Sequence, residues 1–176
     1  MCYGLSNCIK MDLSNLIFSN VTSTSAMFRS CGRLESFGDI SGADVQKLRS
    51  TTDMFNGCGY LKSIDLHGWY TPELRTISSM FNSCSDLRFL DISNLYTGEI
   101  TDVSYAFAGC SSLKYIIMDK EEIKFDGNYM IDNPNNFVKY LVPENMVNIY
   151  KTHPNWQSRA SQIDSIDNYT ITRYDG

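Results

Sequence analysis

A period of about 26 residues constrains this chain more than any other feature. Met27-Phe28 precedes Cys31, Met54-Phe55 precedes Cys58, Met80-Phe81 precedes Cys84 and Ala106-Phe107 precedes Cys110, so the cysteines step by 27, 26 and 26 residues. A leucine follows each cysteine by three positions (Leu34, Leu61, Leu87, Leu113), and Phe37, Ile64, Leu90 and Ile116 lie three further on. Asp39-Ile40, Asp65-Leu66 and Asp91-Ile92 come next, with the inserted Gly38 accounting for the longer step. Upstream of the Met-Phe pairs run two more columns, Val21, Leu48, Leu74 and Ile100, then Thr24, Thr51, Ile77 and Val103. A damaged unit ending in Asp12-Leu13 precedes these, and the last unit ends at Met118 with Ile117 in place of the aspartate.

One such unit has too few apolar residues to bury a face of its own. Stacking identical positions makes continuous columns of Phe, Cys and Leu, so the period predicts a repeat solenoid. The short Ile-Asp-Leu segment reads as a strand, pairing in parallel with its neighbours at a spacing of about 4.8 Å. Ser, Thr, Asn and Gly supply the turns between units. A helix over the whole unit is excluded, because apolar residues recur every three positions and turn formers interrupt every run.

The unit M-F-x-x-C-x-x-L-x-x-[IL]-D-[LI]-S closely resembles the 26-residue variant of the bacterial BspA-like leucine-rich repeat, over residues 5 to 118. Ile64-Asp65-Leu66, Leu90-Asp91-Ile92-Ser93-Asn94 and Ile100-Thr101-Asp102-Val103 carry the likeness. A second resemblance lies further on, where Val142-Pro143, Val147, Tyr150-Lys151, Trp156 and Ala160 to Ile163 look like the segment that closes such arrays in gut-bacterial surface proteins. The resemblance implies a leucine-rich-repeat-like, right-handed coil with short parallel strands, closed by a small C-terminal helical cap. It also implies a secreted or cell-surface bacterial protein, or one carried by a phage of such bacteria. Adhesion or protein binding is implied rather than catalysis, and no particular ligand.

Two regions follow: a solenoid over residues 1–118 and a capping segment over 119–176. An array end needs a cover for its unpaired strand groups. Pro143 and Glu144 suit the start of a helix. Met146, Val147, Ile149 and Tyr150 predict its apolar face up to about Lys151, and Pro154 ends it. Trp156 is expected to be a buried anchor, with Ala160 and Ile163 on a second short helix. The N-terminal edge has no such cover, and upstream repeats or another chain are expected to supply one. Met1-Cys2-Tyr3-Gly4-Leu5 lack the charged and apolar regions of a signal peptide, so an export signal would lie upstream.

The formal charge is −5, from 15 basic and 20 acidic residues, and no long basic run occurs. That speaks against nucleic acid as a partner, and no stretch reaches the roughly 20 apolar residues of a membrane span. Catalysis has little to stand on. His67 and His153 lie in different segments, and no nucleophile elbow, phosphate-cradling loop or H-E-x-x-H occurs. No cofactor and no metal site are expected, since the periodic cysteines read as core and lack zinc-ligand spacing. The aspartate column Asp12, Asp39, Asp65 and Asp91 is expected to point outward from the strands, as either a cation-attracting stripe or a set of hydrogen bonds to turn backbone. Binding fits best, to a protein or host-surface ligand. The contact candidates are Phe89, Tyr115, Lys62 and Arg88 on outward strand positions, with Asp39, Asp65 and Asp91. Trp69 is expected in the core beside Leu16 and Leu95.

Overall fold

The computed structural model describes residues 4–13, 15–38, 40–95, 100–118 and 138–171. Successive units hydrogen-bond to one another in parallel. Strand β1 (Lys10–Met11) pairs with β2 (Ser36–Phe37). Further along, β3 (Phe89–Asp91), β4 (Tyr115–Ile117), β5 (Lys139–Val142) and β6 (Ile163–Ser165) form one four-stranded parallel sheet in that order. A second line of pairing runs through single parallel bridges at Ser23, Ser50, Thr76 and Asp102. Ile64-Asp65-Leu66, expected as a strand, is not one, and the two sheets stop on either side of it. The inserted Gly38 directly follows β2, and its N–H donates to the Met11 carbonyl at 2.7 Å. A Cβ on Gly38 would come within 2.6 Å of the Asp12 carboxylate and 3.2 Å of its Cα, so a larger residue there requires Asp12 to move.

The repeated positions stack in the interior. Phe28, Phe55, Phe81 and Phe107 form one ladder with ring centroids 5.5, 5.3 and 6.0 Å apart and near-parallel planes. Beside it, Cys31, Cys58, Cys84 and Cys110 are fully buried free thiols. Each thiol after the first donates to the carbonyl of a phenylalanine one unit back: Cys58 to Phe28, Cys84 to Phe55 and Cys110 to Phe81, at 3.0 to 3.2 Å. Burial, helped by the neighbouring thiol, pushes Cys58 up to about 12, and burial alone does the same for Cys110. Thr24 and Thr51 bond in the same manner to the sulfurs of Met54 and Met80. These links satisfy polar atoms inside an apolar column, where an unmade bond costs about 1–3 kcal/mol.

Tight corners need backbone in the left-handed region. Ala26, Asp53, Ser79 and Tyr105 occupy it at one repeated position, and Ser30, Gly57, Ser83 and Gly109 at another four residues on. Trp69 is fully buried and its indole N–H donates to the Ile40 carbonyl at 2.9 Å. Leu95 is buried as expected, but Leu16 is half exposed at the N-terminal end.

The C-terminal segment adds to the sheet as well as covering it. Helix α1 (Glu144–Thr152) follows Pro143 directly, and Met146 and Tyr150, one turn apart, face the core. Val147 packs beside them, whereas Ile149 falls off that face and is exposed. Trp156 is fully buried, edge-on to both Tyr140 and Tyr150 at 5.0 and 5.3 Å. Ala160 lies in a 3-10 turn (Gln157–Gln162), but Ile163 opens β6 instead of continuing a helix. The β-branched Ile163 is buried against the sheet, and extended pairing with Tyr140 gives its backbone partners that a short helix would not.

Candidate functional site

Leu90, Ile116 and Tyr140 point from the four-stranded sheet into the main core, so their neighbours face outward. On that outer face Phe89, Ile117 and Leu141 form a second, smaller apolar cluster. Ile166, Tyr169 and Ile171 pack over it from the C-terminal segment. Phe89, a contact candidate, is thereby only 9% exposed, which corrects the expectation of a free aromatic. Tyr115 stays half buried, its ring held edge-on to Tyr169 at 5.3 Å.

An open cleft of about 150 Å³ remains between this cover and the sheet, lined by Arg88, Phe89, Lys114, Tyr115, Thr170 and Ile171. Arg88 and Lys114 stand on adjacent rungs, since the Lys114 N–H donates to the Arg88 carbonyl at 2.9 Å. Both side chains are exposed and neither has a hydrogen-bond or ion-pair partner among the described residues. Other cations pair across one rung with an acid: Arg29 with Asp53, Arg49 with Glu73, and Lys62 with Glu35, at 2.8 to 3.0 Å. Cations also adjoin at Lys62–Arg88, Arg49–Arg75 and Lys114–Lys139, but Arg49, Lys62 and Lys139 each have a partner, whereas Arg88 and Lys114 have none among the described residues.

Polar bonds fix the cover. The Tyr169 hydroxyl donates to Asp164 Oδ2 at 2.8 Å and the Asn168 amide to Asp164 Oδ1 at 3.0 Å. These donors hold the Asp164 carboxyl below its usual range, while donation to a carboxylate pushes the Tyr169 hydroxyl up to about 12. Lys139 reaches across to the Ser161 carbonyl at 3.1 Å.

The structure brings Arg88, Phe89 and Tyr115 together and adds Lys114, Thr170 and Ile171. The aspartates do not join them. Asp91 is buried, and its Oδ1 accepts from the Ser93 N–H at 3.0 Å. Asp65 Oδ1 takes the His67 N–H and lies 2.7 Å from His67 Nδ1. Both thus serve the turn after the strand position. Asp39 lies outside the described residues, as do Cys2 and Tyr96. Among the described residues no group of three or more His, Cys, Asp or Glu is placed to hold a metal ion. No helix among them is long and apolar enough to cross a membrane.

The opposite end of the stack is apolar. Leu5, Ile9 and Leu16 are about half exposed there and Ile17 is 84% exposed. Two open cavities of about 540 and 310 Å³ share Leu16, Ile17 and Phe18 in their walls.

No curated protein matches the chain. A family model described as a Mycoplasma protein of unknown function, DUF285, matches residues 1–120, the region that holds the whole 26-residue period. The chain belongs to that family.

Proposed function

We propose that this chain is a non-catalytic, surface-exposed binding module, built on a leucine-rich-repeat-like right-handed solenoid with a C-terminal cap. The observation that carries the reading is the pair of cations Arg88 and Lys114, unpartnered among the described residues, at the mouth of an aromatic cleft. Like charges side by side on neighbouring strands destabilise a fold, so their placement is best explained by a ligand that neutralises them. Parallel pairing of units and the Phe and Cys columns support the solenoid. An extracellular or cell-surface location is part of this reading, suggested by the resemblance of the repeat unit to that of surface proteins.

The test is adhesion of the fluorescently labelled chain to animal epithelial cells. Saturable binding by the wild type is expected. The double variant Arg88→Glu/Lys114→Glu, its fold verified by circular dichroism, should bind at least about tenfold more weakly. Equal binding by the two would refute this face as the contact surface.

The exposed apolar end around Ile17 favours a second reading, an assembly module whose N-terminal edge is covered by further repeats or another chain. Concentration-dependent self-association that Ile17→Lys abolishes would support it, and a monomer at all concentrations would count against a second copy.

A further inference from the structure

We infer that the Lys62–Arg88–Lys114 column takes a flat-ribbon polyuronate, a linear β-linked acidic polysaccharide with carboxylates on its sugars; this rests on the reading that the outer sheet face is the binding surface. The first support is charge. The chain is acidic overall, with a formal charge of −5, yet three cations follow one another on consecutive rungs. Glu35 bounds the column at one end through its ion pair with Lys62. That pair is half exposed and therefore contributes little, so a ligand carboxylate can compete with it. Beyond Lys114 the next rung offers Lys139, already donating to the Ser161 carbonyl and facing the ionised Asp164. The anion-binding length is thus three rungs.

Spacing selects among polyanions. Parallel rungs repeat at about 4.8 Å, so Lys62 and Lys114 backbones stand about 9.6 Å apart. In a flat ribbon of β-linked pyranoses alternate sugars present the same side, and two sugars advance the chain by close to two rungs. Same-side carboxylates therefore meet Lys62 and Lys114, with Arg88 between them for ring oxygens and hydroxyls. An extended acidic peptide presents same-side carboxylates roughly 6.8 Å apart, in step with neither one rung nor two.

Shape agrees. Sugar rings carry apolar C–H faces, and the cleft supplies Tyr115 and the rim of Phe89. The Tyr115 ring is already held edge-on by Tyr169, whose hydroxyl is tied to Asp164, so little side-chain freedom is lost on binding. The guanidinium of Arg88 offers a planar fork of donors for vicinal oxygens.

The experiment is affinity electrophoresis of the whole chain through gels containing polymannuronate, with poly-L-glutamate, single-stranded RNA and neutral mannan in parallel gels. Polymannuronate should retard the wild type most. Arg88→Ala and Lys114→Ala should each weaken that retardation about tenfold. Lys47→Ala, at an exposed lysine bonded to Asn20 away from the column, should leave it unchanged. Equal or stronger retardation by poly-L-glutamate or RNA overturns the polyuronate while leaving the face intact. Retardation that ignores both alanine variants overturns the polyuronate and the face together. Absence of retardation by any polyanion overturns the polyuronate, and the cell-adhesion comparison then decides the face alone.

Discussion

Replacing rings in the phenylalanine column shows whether the stacked units support one another or merely coexist. Phe55 and Phe81 lie 5.3 Å apart with planes 12° off parallel, and each also touches a ring on its other side. A stacked aromatic pair adds about 0.5–1.5 kcal/mol beyond burial. Phe81→Leu keeps most of the buried apolar volume but loses two such pairs, or about 1–3 kcal/mol. In the double variant Phe55→Leu/Phe81→Leu the shared pair is lost only once, so the two substitutions should couple by about 0.5–1.5 kcal/mol. Phe28 and Phe107 do not touch, being separated by two intervening rings, and Phe28→Leu/Phe107→Leu should be additive within about 0.5 kcal/mol. Urea unfolding followed by circular dichroism measures all six variants, with the midpoint moving at constant slope. Equal coupling in the two cycles, or none in the adjacent one, would refute nearest-neighbour stacking as the source of stability.

Thiol chemistry should follow burial. Thiolates are the reactive species, and Cys58 and Cys110 are pushed up to about 12, with Cys84 raised as well by burial and its two thiol neighbours. Mass spectrometry after iodoacetamide at mildly alkaline pH should find the half-buried Cys8 modified early and those three only at the rate of unfolding; early loss of Cys84 would contradict a closed column. Backbone conformation gives a paired expectation, because a side chain in the left-handed region costs roughly 1–2 kcal/mol. Tyr105→Gly should stabilise by about 1 kcal/mol, whereas Gly109→Ala, whose Cβ would come within 3.2 Å of Ser83, should destabilise in the same urea assay. The cover should respond to pH at both ends. Asp164 is depressed, so its contribution is complete above the ordinary carboxyl value and lost as pH falls through the lower folded one. Tyr169 is raised, so its contribution is present below the ordinary tyrosine value and lost as pH rises through about 12. Ultraviolet titration should show this late-titrating tyrosine disappear in Tyr169→Phe and shift earlier in Asp164→Asn.

Much of this architecture is legible from period alone, because a repeat tells each residue which other residues are its neighbours. The buried cysteines and phenylalanines, the pairing of Phe89 with Tyr115 and the helix after Pro143 all come from position within a unit or from local start and stop signals. What stayed hidden depends on contacts outside the period. Phe89 reads as an outward position and is one, yet Tyr169 and Ile171, some eighty residues later, cover it. The same contact creates the cleft, so the site could not be drawn from the repeats. Asp91 was expected to face solvent, but its turn bond to Ser93 and the apolar Ile117 beside it keep it buried. Ile163 is expected on a short helix with Ala160, whereas pairing with the free edge of β5 makes it the start of a strand. Lys62 and Lys114 are equivalent in the repeat, and only Glu35 one rung back distinguishes them.

That last difference has a consequence for stability against binding. In a stack, each outward residue meets the corresponding residue one rung away, so charges of opposite sign on neighbouring units stabilise and like charges oppose. Three cross-rung pairs obey this rule, and Arg88 next to Lys114, like Lys62 next to Arg88 and Arg49 next to Arg75, does not; at Arg88 and Lys114 no acid among the described residues offsets the repulsion. Lys114→Glu should restore the rule by giving Arg88 a carboxylate one rung away. The gain is that of an exposed pair plus relief of a like-charge one, about 0.5–1 kcal/mol. The same substitution reverses the charge at the cleft mouth and should abolish retention by polymannuronate. Urea midpoints and affinity electrophoresis on one protein preparation test both halves. A rise in midpoint with loss of retention means that the fold gives up stability at this point to keep a binding surface. A fall in midpoint would mean that Lys114 has a structural role here, and the unpaired cations would no longer mark a site.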